Sequence, residues 1–388
     1  MTIEINKNFC SLEDNYLFSK IRAKKRDYEE KHPDQIIINL GVGDVIGALT
    51  ESAINALKSG IEAYSSVENF KGYPPEQGYP FLREKIVNYY KKFNVNLDID
   101  SIFISDGAKS DLSNIIEIFS DLTALIPTPV YPVYVDTNII KGNKIKYLEC
   151  IPENNFLPLP NKQLKGSYLI YLCSPNNPTG AVFSYEDLKK WVDFANSTGS
   201  IIIFDSAYEA FIRSGVPHSI FEIEGSENCS IEIASFSKRA GFTGLRLGYT
   251  IINRKSKRMN EFALCWARRQ ATEFNGVSYL IQKAGEATLT ELGLAECQSK
   301  IDYYLKNAEI IKKVFIDKGF NVYGGTDSPY IWIDCKKDSW EFFDEMLEKY
   351  QIVGTAGAGF GKGGEHFYRL SAFALRKDIL LAVNRLKK

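Results

Sequence analysis

The chain has 388 residues, enough for about two domains of roughly 150 residues each and for a sizeable core. Hydrophobic residues make up 45% and charged residues 24%, which excludes a disordered or fibrous chain. Lys and Arg (47) nearly balance Asp and Glu (48), giving a net charge of −1; a whole surface built to grip nucleic acid or anionic lipid is thereby excluded, but a local cationic pocket is not.

In chain order, the first 45 residues are too short for a domain of their own and are expected to join a later one. From about residue 100, short apolar runs alternate with helical stretches, the pattern of an α/β domain with a mostly parallel sheet. The predicted strands are Ile102–Ser105, Thr123–Ile126, Ser167–Cys173, Ser200–Phe204, Ile231–Ser235 and Gly248–Ile252. Several are continuously apolar, as strands covered on both faces are. A helix is predicted over Tyr185–Ser197, behind Ser184 as its N-cap. Val277–Val314 reads as one long helix, and an α+β pattern follows: strands at Asn321–Tyr323, Tyr330–Asp334 and Phe367–Ser371, a helix at Ser339–Tyr350, and a terminal helix. The expected division is a large domain over 46–276 and a smaller one made from 1–45 with 277–388.

Seven scattered cysteines without a C-x-x-C pair predict free thiols in a reducing compartment. Three histidines without an H-E-x-x-H pattern make a metal site unexpected. The N-terminus lacks the basic and apolar regions of a secretory signal, and no apolar run reaches the roughly 20 residues that span a bilayer. The expectation is a soluble, cytoplasmic protein.

Polar loops follow four of the predicted strands, and open parallel sheets bind ligands beyond the carboxyl ends of their strands. S-F-S-K-R-A-G-F-T-G-L-R (Ser235–Arg246) sets Lys238 just past a strand, among small hydroxyl residues and glycines. As an ordinary surface loop this would be unremarked; as chemistry, Lys238 is an amine able to form a Schiff base with a carbonyl cofactor, with Ser235, Ser237 and Arg246 holding an anion beside it. D-S-A-Y supplies the carboxylate of Asp205, otherwise readable as a helix N-cap, and the phenol of Tyr208. N-N-P-T-G is a turn by composition that offers Asn177. S-D-G-A-K-S-D is a strand-to-helix turn whose N–H groups at Gly107, Ala108 and Lys109 suit a phosphate. Tyr131, in P-V-Y-P, is either packed or a ring that stacks on a cofactor, and Arg369 enters an apolar strand after a glycine-rich loop. No G-x-G-x-x-G opens the first strand–helix unit, which argues against a dinucleotide-binding enzyme.

These motifs, in this order, resemble the fold-type I pyridoxal 5′-phosphate aminotransferases over essentially the whole chain. The strings N-Y-L-F (Asn15–Phe18), I-N-L-G-V-G-D, G-Y-P-P-E-Q-G (Gly72–Gly78), P-H-S-I-F-E-I-E-G, F-N-G-V-S and P-Y-I-W are similar to one subgroup, the LL-diaminopimelate aminotransferases. The resemblance implies a large domain with a mostly parallel seven-stranded sheet, a smaller α+β domain, and a homodimer with shared active sites. It implies ping-pong transfer of an amino group between LL-2,6-diaminopimelate and 2-oxoglutarate, a step toward lysine, through an imine at Lys238. By it, Asp205 faces the pyridinium nitrogen, and Tyr208 and Asn177 hold the 3′-oxygen. Tyr131 stacks on the ring. Ala108, Lys109, Ser235, Ser237 and Arg246, with Tyr73 from the partner protomer, hold the phosphate. Tyr16, Gly43, Lys109, Tyr131, Asn177 and Asn275 touch substrate, Glu76 reaches its distal amino group across the dimer, and Arg369 clamps the α-carboxylate.

Pro74, Thr128, Arg239, Lys362 and His366 depart from the residues that this resemblance leads one to expect. Alternatives on the same scaffold are an aminotransferase for alanine, an aromatic or an unusual diamino acid, a pyridoxal-phosphate lyase, or a non-catalytic regulator.

Overall fold

The computed structural model describes residues 2–12 and 17–388. Its strands are β1 (Ile38–Asn39), β2 (Ile102–Ser105), β3 (Thr123–Thr128), β4 (Lys144–Glu149), β5 (Leu169–Cys173), β6 (Ile201–Asp205), β7 (Ser230–Ser235) and β8 (Gly248–Ile252). Later in the chain come β9 (Val322–Gly324), β10 (Tyr330–Asp334), β11 (Ile352–Val353), β12 (Thr355–Ala356) and β13 (Phe367–Ser371). β2 to β8 form a seven-stranded sheet in the order β2–β8–β7–β6–β5–β3–β4, parallel except for β8, which runs against both neighbours. β12–β13–β10–β9 form an antiparallel sheet, and β1 pairs with β11. A mostly parallel seven-stranded sheet and a separate antiparallel sheet are the α/β architecture expected from the sequence.

The continuous apolar strands are explained by burial on both faces. Alternate residues point to opposite sides, so Leu169, Tyr171, Ile201 and Ile203 pack with Met259, Ala263 and Trp266 of the helix Lys257–Glu273. Ile170, Leu172, Ile202 and Phe204 pack with Leu188, Trp191 and Val192 of the helix Tyr185–Thr198 on the other face. That helix starts as predicted: the Ser184 hydroxyl accepts from the Asp187 N–H at 3.1 Å, and Gly199 ends it in a left-handed conformation.

Besides the short strands β1, β11 and β12, which were not predicted, two features depart from the expectation. Val277–Val314 is not one helix but two, Tyr279–Thr288 and Glu291–Asp317; Thr290 caps the second by accepting from Gly293 N–H at 3.1 Å. β4 was not expected, because K-I-K-Y-L-E is an edge strand with three charged residues among its six and a single buried position, Leu148.

A buried carboxylate crosses the sheet's core. Glu232 on β7 accepts from Tyr90 (2.6 Å), Ser206 (2.9 Å), Ser219 (2.5 Å) and the Ile220 N–H (3.2 Å). Burial pushes its pKa up to about 7, and pushes Asp111, held by the Thr250 hydroxyl at 2.6 Å, up to about 7 as well. A carboxyl that keeps its proton in the fold and releases it when unfolded destabilises the fold as pH rises from the ordinary carboxylate value toward 7. Glu232→Gln, which is always neutral, is therefore expected to flatten this fall. Denaturant midpoints at about pH 5 and about pH 8 measure it; an unchanged slope contradicts the assignment.

Candidate active site

The site forms where strand ends of the large sheet meet. Ser105 at the end of β2 pairs with Gly248, and Gly248 pairs with Ser235 at the end of β7, so the three stand in one row. Asp205 ends β6 beside Cys173, which ends β5. Gly248 is required here: a Cβ would lie 2.8 Å from Gly107 Cα and 3.0 Å from Ala108 N. Gly107 has φ +127°, and a Cβ on it would strike the Arg246 guanidinium. The turn thus folds onto the strand end with Arg246 lying against it. Arg246 Nη1 donates to Ser237 Oγ at 3.2 Å, and Ser235 Oγ accepts from Ser237 N–H at 3.0 Å. Ala108, Ser235 and Ser237 are buried, whereas Lys109 and Arg246 are exposed. Hydroxyls, a guanidinium and the start of the helix Ala108–Asn114 could together hold a phosphate.

Behind this cradle, the Asp205 carboxylate accepts from the Tyr134 phenol at 2.6 Å and from Ala207 N–H at 3.0 Å, both neutral donors. Burial raises its pKa against those two bonds. A buried carboxylate so placed could hold a cationic ring nitrogen. Tyr208 and Tyr330 share a hydrogen bond at 2.7 Å; burial, then the neighbouring phenol, holds Tyr208 well above the ordinary tyrosine pKa, so it remains a neutral donor. Arg369 on β13 is 1% exposed. It donates to Asn177 Oδ1 and to Gly41 O, each at 2.7 Å, and its guanidinium lies 4.3 Å from the Tyr330 ring centre. Its buried Nε has no partner among the described residues, which leaves capacity for a carboxylate.

Lys238 closes the group. It lies in the one-turn helix Phe236–Arg239 at the end of β7 and donates to the Gly43 carbonyl. Burial drives its pKa down to about 8; Asp44 opposes this, and Arg369 and Arg246 add to it. In the cofactor-free enzyme, acetic-anhydride labelling of Lys238 is expected to reach half its maximum near pH 8, whereas an ordinary lysine waits for about pH 10.4. Site-resolved mass spectrometry reads this, and labelling that follows an ordinary lysine contradicts it.

The structure thus brings Lys238, bonded to Gly43, within charge range of Arg369, which is bonded to Asn177 and lies over Tyr330 and so beside Tyr208, while Asp205 is held by Tyr134. Tyr131 is half-buried, its ring edge-on to Tyr134 at 6.0 Å. Tyr73 is 88% exposed, and Glu76 and Asn275 are also exposed; no hydrogen bond among the described residues ties them to the network. Tyr16 lies outside the described residues. Sequence reasoning missed Tyr134 and Tyr330, which hold Asp205 and Tyr208; the signals were present in P-V-Y-P-V-Y and P-Y-I-W.

The departures find partners too. Thr128 donates to the Lys362 carbonyl at 2.9 Å, joining two of them, and Lys362 pairs with Glu149 at 2.8 Å. Pro74 packs against Gly276, whose Cβ would approach it at 2.7 Å. His366 Nδ1 stands 3.2 Å from Lys337 O, and Arg239 forms a buried ion pair with Glu209.

An amine of lowered pKa, a buried carboxylate and a cluster able to hold a phosphate stand at strand ends of the large sheet, with the buried guanidinium of Arg369 from the smaller sheet, and these residues fit pyridoxal 5′-phosphate. The chain belongs to the aminotransferase class I and II family, whose family model matches residues 35–382, and it is a pyridoxal-phosphate-dependent aminotransferase. It is 44% identical to an LL-diaminopimelate aminotransferase from Agathobacter rectalis over 99% of both chains. It is also 44% identical to one from Prochlorococcus marinus, again over 99% of both. The solved LL-diaminopimelate aminotransferase from Chlamydomonas reinhardtii superimposes with a TM-score of 0.93 at 39% identity, covering 100% of this chain and 98% of that one.

Proposed function

We propose that the protein transfers an amino group between LL-2,6-diaminopimelate and 2-oxoglutarate, on the route to lysine. The observation that carries this is full-length similarity to diaminopimelate aminotransferases combined with the buried Arg369–Asn177 pair beside Lys238. Asp205, Tyr208, Asn177 and Tyr131 would hold the cofactor ring; Ala108, Lys109, Ser235, Ser237 and Arg246 would hold its phosphate. Bound there, pyridoxal 5′-phosphate supplies a carbonyl for the amine and an electron sink for charge that develops at the substrate's α-carbon.

The chain's residues do the rest. Arg369 takes the α-carboxylate on its unpartnered Nε edge and orients the α-carbon. Lys238 Nζ, with a pKa of about 8, takes the α-proton as general base near neutral pH. Gly43, whose carbonyl accepts from Lys238, and Tyr330, whose phenol occupies the space a Cβ on Gly43 would need, keep that amine aimed.

The distal end of diaminopimelate carries a second ammonium and carboxylate. Lys109, Asn275 and Tyr16, with Glu76 and Tyr73 from a partner protomer, complete the site in this reading. Support comes from the exposure of Val67, Phe70 and Tyr73 on one loop, apolar surface that a second copy would cover. The working form is then a cytoplasmic homodimer, in which the part made of 1–45 and 277–388 closes on the one made of 46–276.

The test is glutamate production from 2-oxoglutarate with a panel of amino donors. Diaminopimelate should exceed alanine, phenylalanine, lysine and ornithine in kcat/KM; a better rate with any of these overturns the substrate, and release of ammonia without an oxo acid overturns transamination. Sedimentation at the mass of a single chain would remove the dimer.

A further inference from the structure

Arg239 follows Lys238 in the chain and Glu209 follows Tyr208, so two residues proposed to handle the cofactor each have a charged neighbour. Both neighbours are buried, at 6% and 5% exposure, and Arg239 Nη2 pairs with Glu209 Oε1. Arg239 is held from other sides as well: its guanidinium lies 3.9 Å from the Tyr89 ring centre and bonds the Tyr249 phenol. Glu209 accepts from the Tyr89 phenol at 3.1 Å and stands 3.2 Å from His218 Nδ1. Burial lowers the His218 pKa, so Arg239 is the cation that compensates this carboxylate near neutral pH.

On the site side, Lys238 donates to the Gly43 carbonyl, and the Tyr330 hydroxyl lies where a Cβ on Gly43 would stand. That hydroxyl shares its hydrogen bond with Tyr208, so the amine and the Tyr208 phenol border one space. The backbone that carries them is joined behind that space. Ser206 N–H donates to Ile233 O on β7 at 3.0 Å, and Ser206 Oγ donates to Glu232 at 2.9 Å. Glu209 ties the other side of Tyr208 to Arg239, in the one-turn helix that carries Lys238.

We infer that Arg239 and Glu209 are a pair of positioning residues that set the spacing between the Lys238 amine and the Tyr208 phenol. The inference rests on the roles proposed above for Lys238 and Tyr208. An exposed ion pair would do little here, whereas a buried one is costly to break from one side and holds its two backbone segments together. Arg239 departs from the residue that the family resemblance leads one to expect, so the resemblance does not imply this tie.

The test is the rate of cofactor capture. Pyridoxal 5′-phosphate is mixed with cofactor-free enzyme and the growth of the visible band of the lysine-linked cofactor is timed; kcat and KM follow with the best amino donor. Arg239→Met combined with Glu209→Gln removes both charges together and leaves an amide oxygen for Tyr89, so the denaturant midpoint should stay near the parent's. Band growth and kcat should each fall about tenfold, with KM within about twofold because Arg369 is untouched. Glu209→Asp keeps both charges and shortens the tie by one methylene; it should also slow band growth, and it alone decides if the double variant does not fold. Trp191→Phe, a core change in the helix Tyr185–Thr198 without a bond to either member of the pair, should lower the denaturant midpoint and leave band growth and kcat unchanged. Parental band growth in the Glu209 variants, or equal slowing by Trp191→Phe, overturns the inference. Failure of the Lys238 reading itself shows differently, as a visible band that survives Lys238→Ala.

Discussion

Lys238→Ala is expected to lower kcat at least about 10⁴-fold, because the proposed site loses its covalent anchor and its general base together. The side chain makes one described hydrogen bond, to Gly43 O, and its neighbours Phe236 and Arg239 hold the one-turn helix in place. The variant should therefore fold, bind the cofactor through the phosphate cradle, and lose the visible absorbance of a lysine-linked cofactor. A variant that keeps both that absorbance and measurable turnover contradicts the role of Lys238.

Arg369→Leu carries the second-largest effect, an expected fall in kcat/KM of about 10²–10³-fold. That is the range for removing one member of a buried, charge-assisted pair. Arg369 also holds Asn177 Oδ1 and Gly41 O, so a loss of activity alone would not separate substrate binding from support. Arg369→Lys makes the separation. Lysine keeps the charge and can still reach a carbonyl, but it cannot grip a carboxylate with two parallel bonds. Cofactor absorbance should survive in Arg369→Lys while KM for the amino acid rises steeply; unchanged KM would place the carboxylate elsewhere.

Much of this site was legible because its parts are local. The turn at Ser105–Lys109, the Asp205 strand end and the Ser235–Arg246 loop each carry their chemistry within a dozen residues, and burial on both faces wrote the strands as apolar runs. What could not be read was pairing across distance. Arg369 and Asn177 are 192 positions apart, and nothing in either segment specifies that bond. The break between Thr288 and Glu291 escaped because Thr290, the N-cap that starts the second helix, is a weak boundary signal inside a strongly helical composition. β4 escaped because its apolar residues, Ile145, Tyr147 and Leu148, sit among charges and make neither a continuous run nor a clean alternation. Arg239 stood out only as a departure from the expected residue; its burial with Glu209 is a tertiary fact.

Anaerobic mixing of the cofactor-loaded enzyme with LL-2,6-diaminopimelate, without 2-oxoglutarate, followed at the visible absorbance band, tests the proposed reaction most directly. The band should disappear in a single rapid phase, return when 2-oxoglutarate is added, and persist in lysine or ornithine. A band untouched by diaminopimelate, or bleached equally fast by lysine, would contradict it.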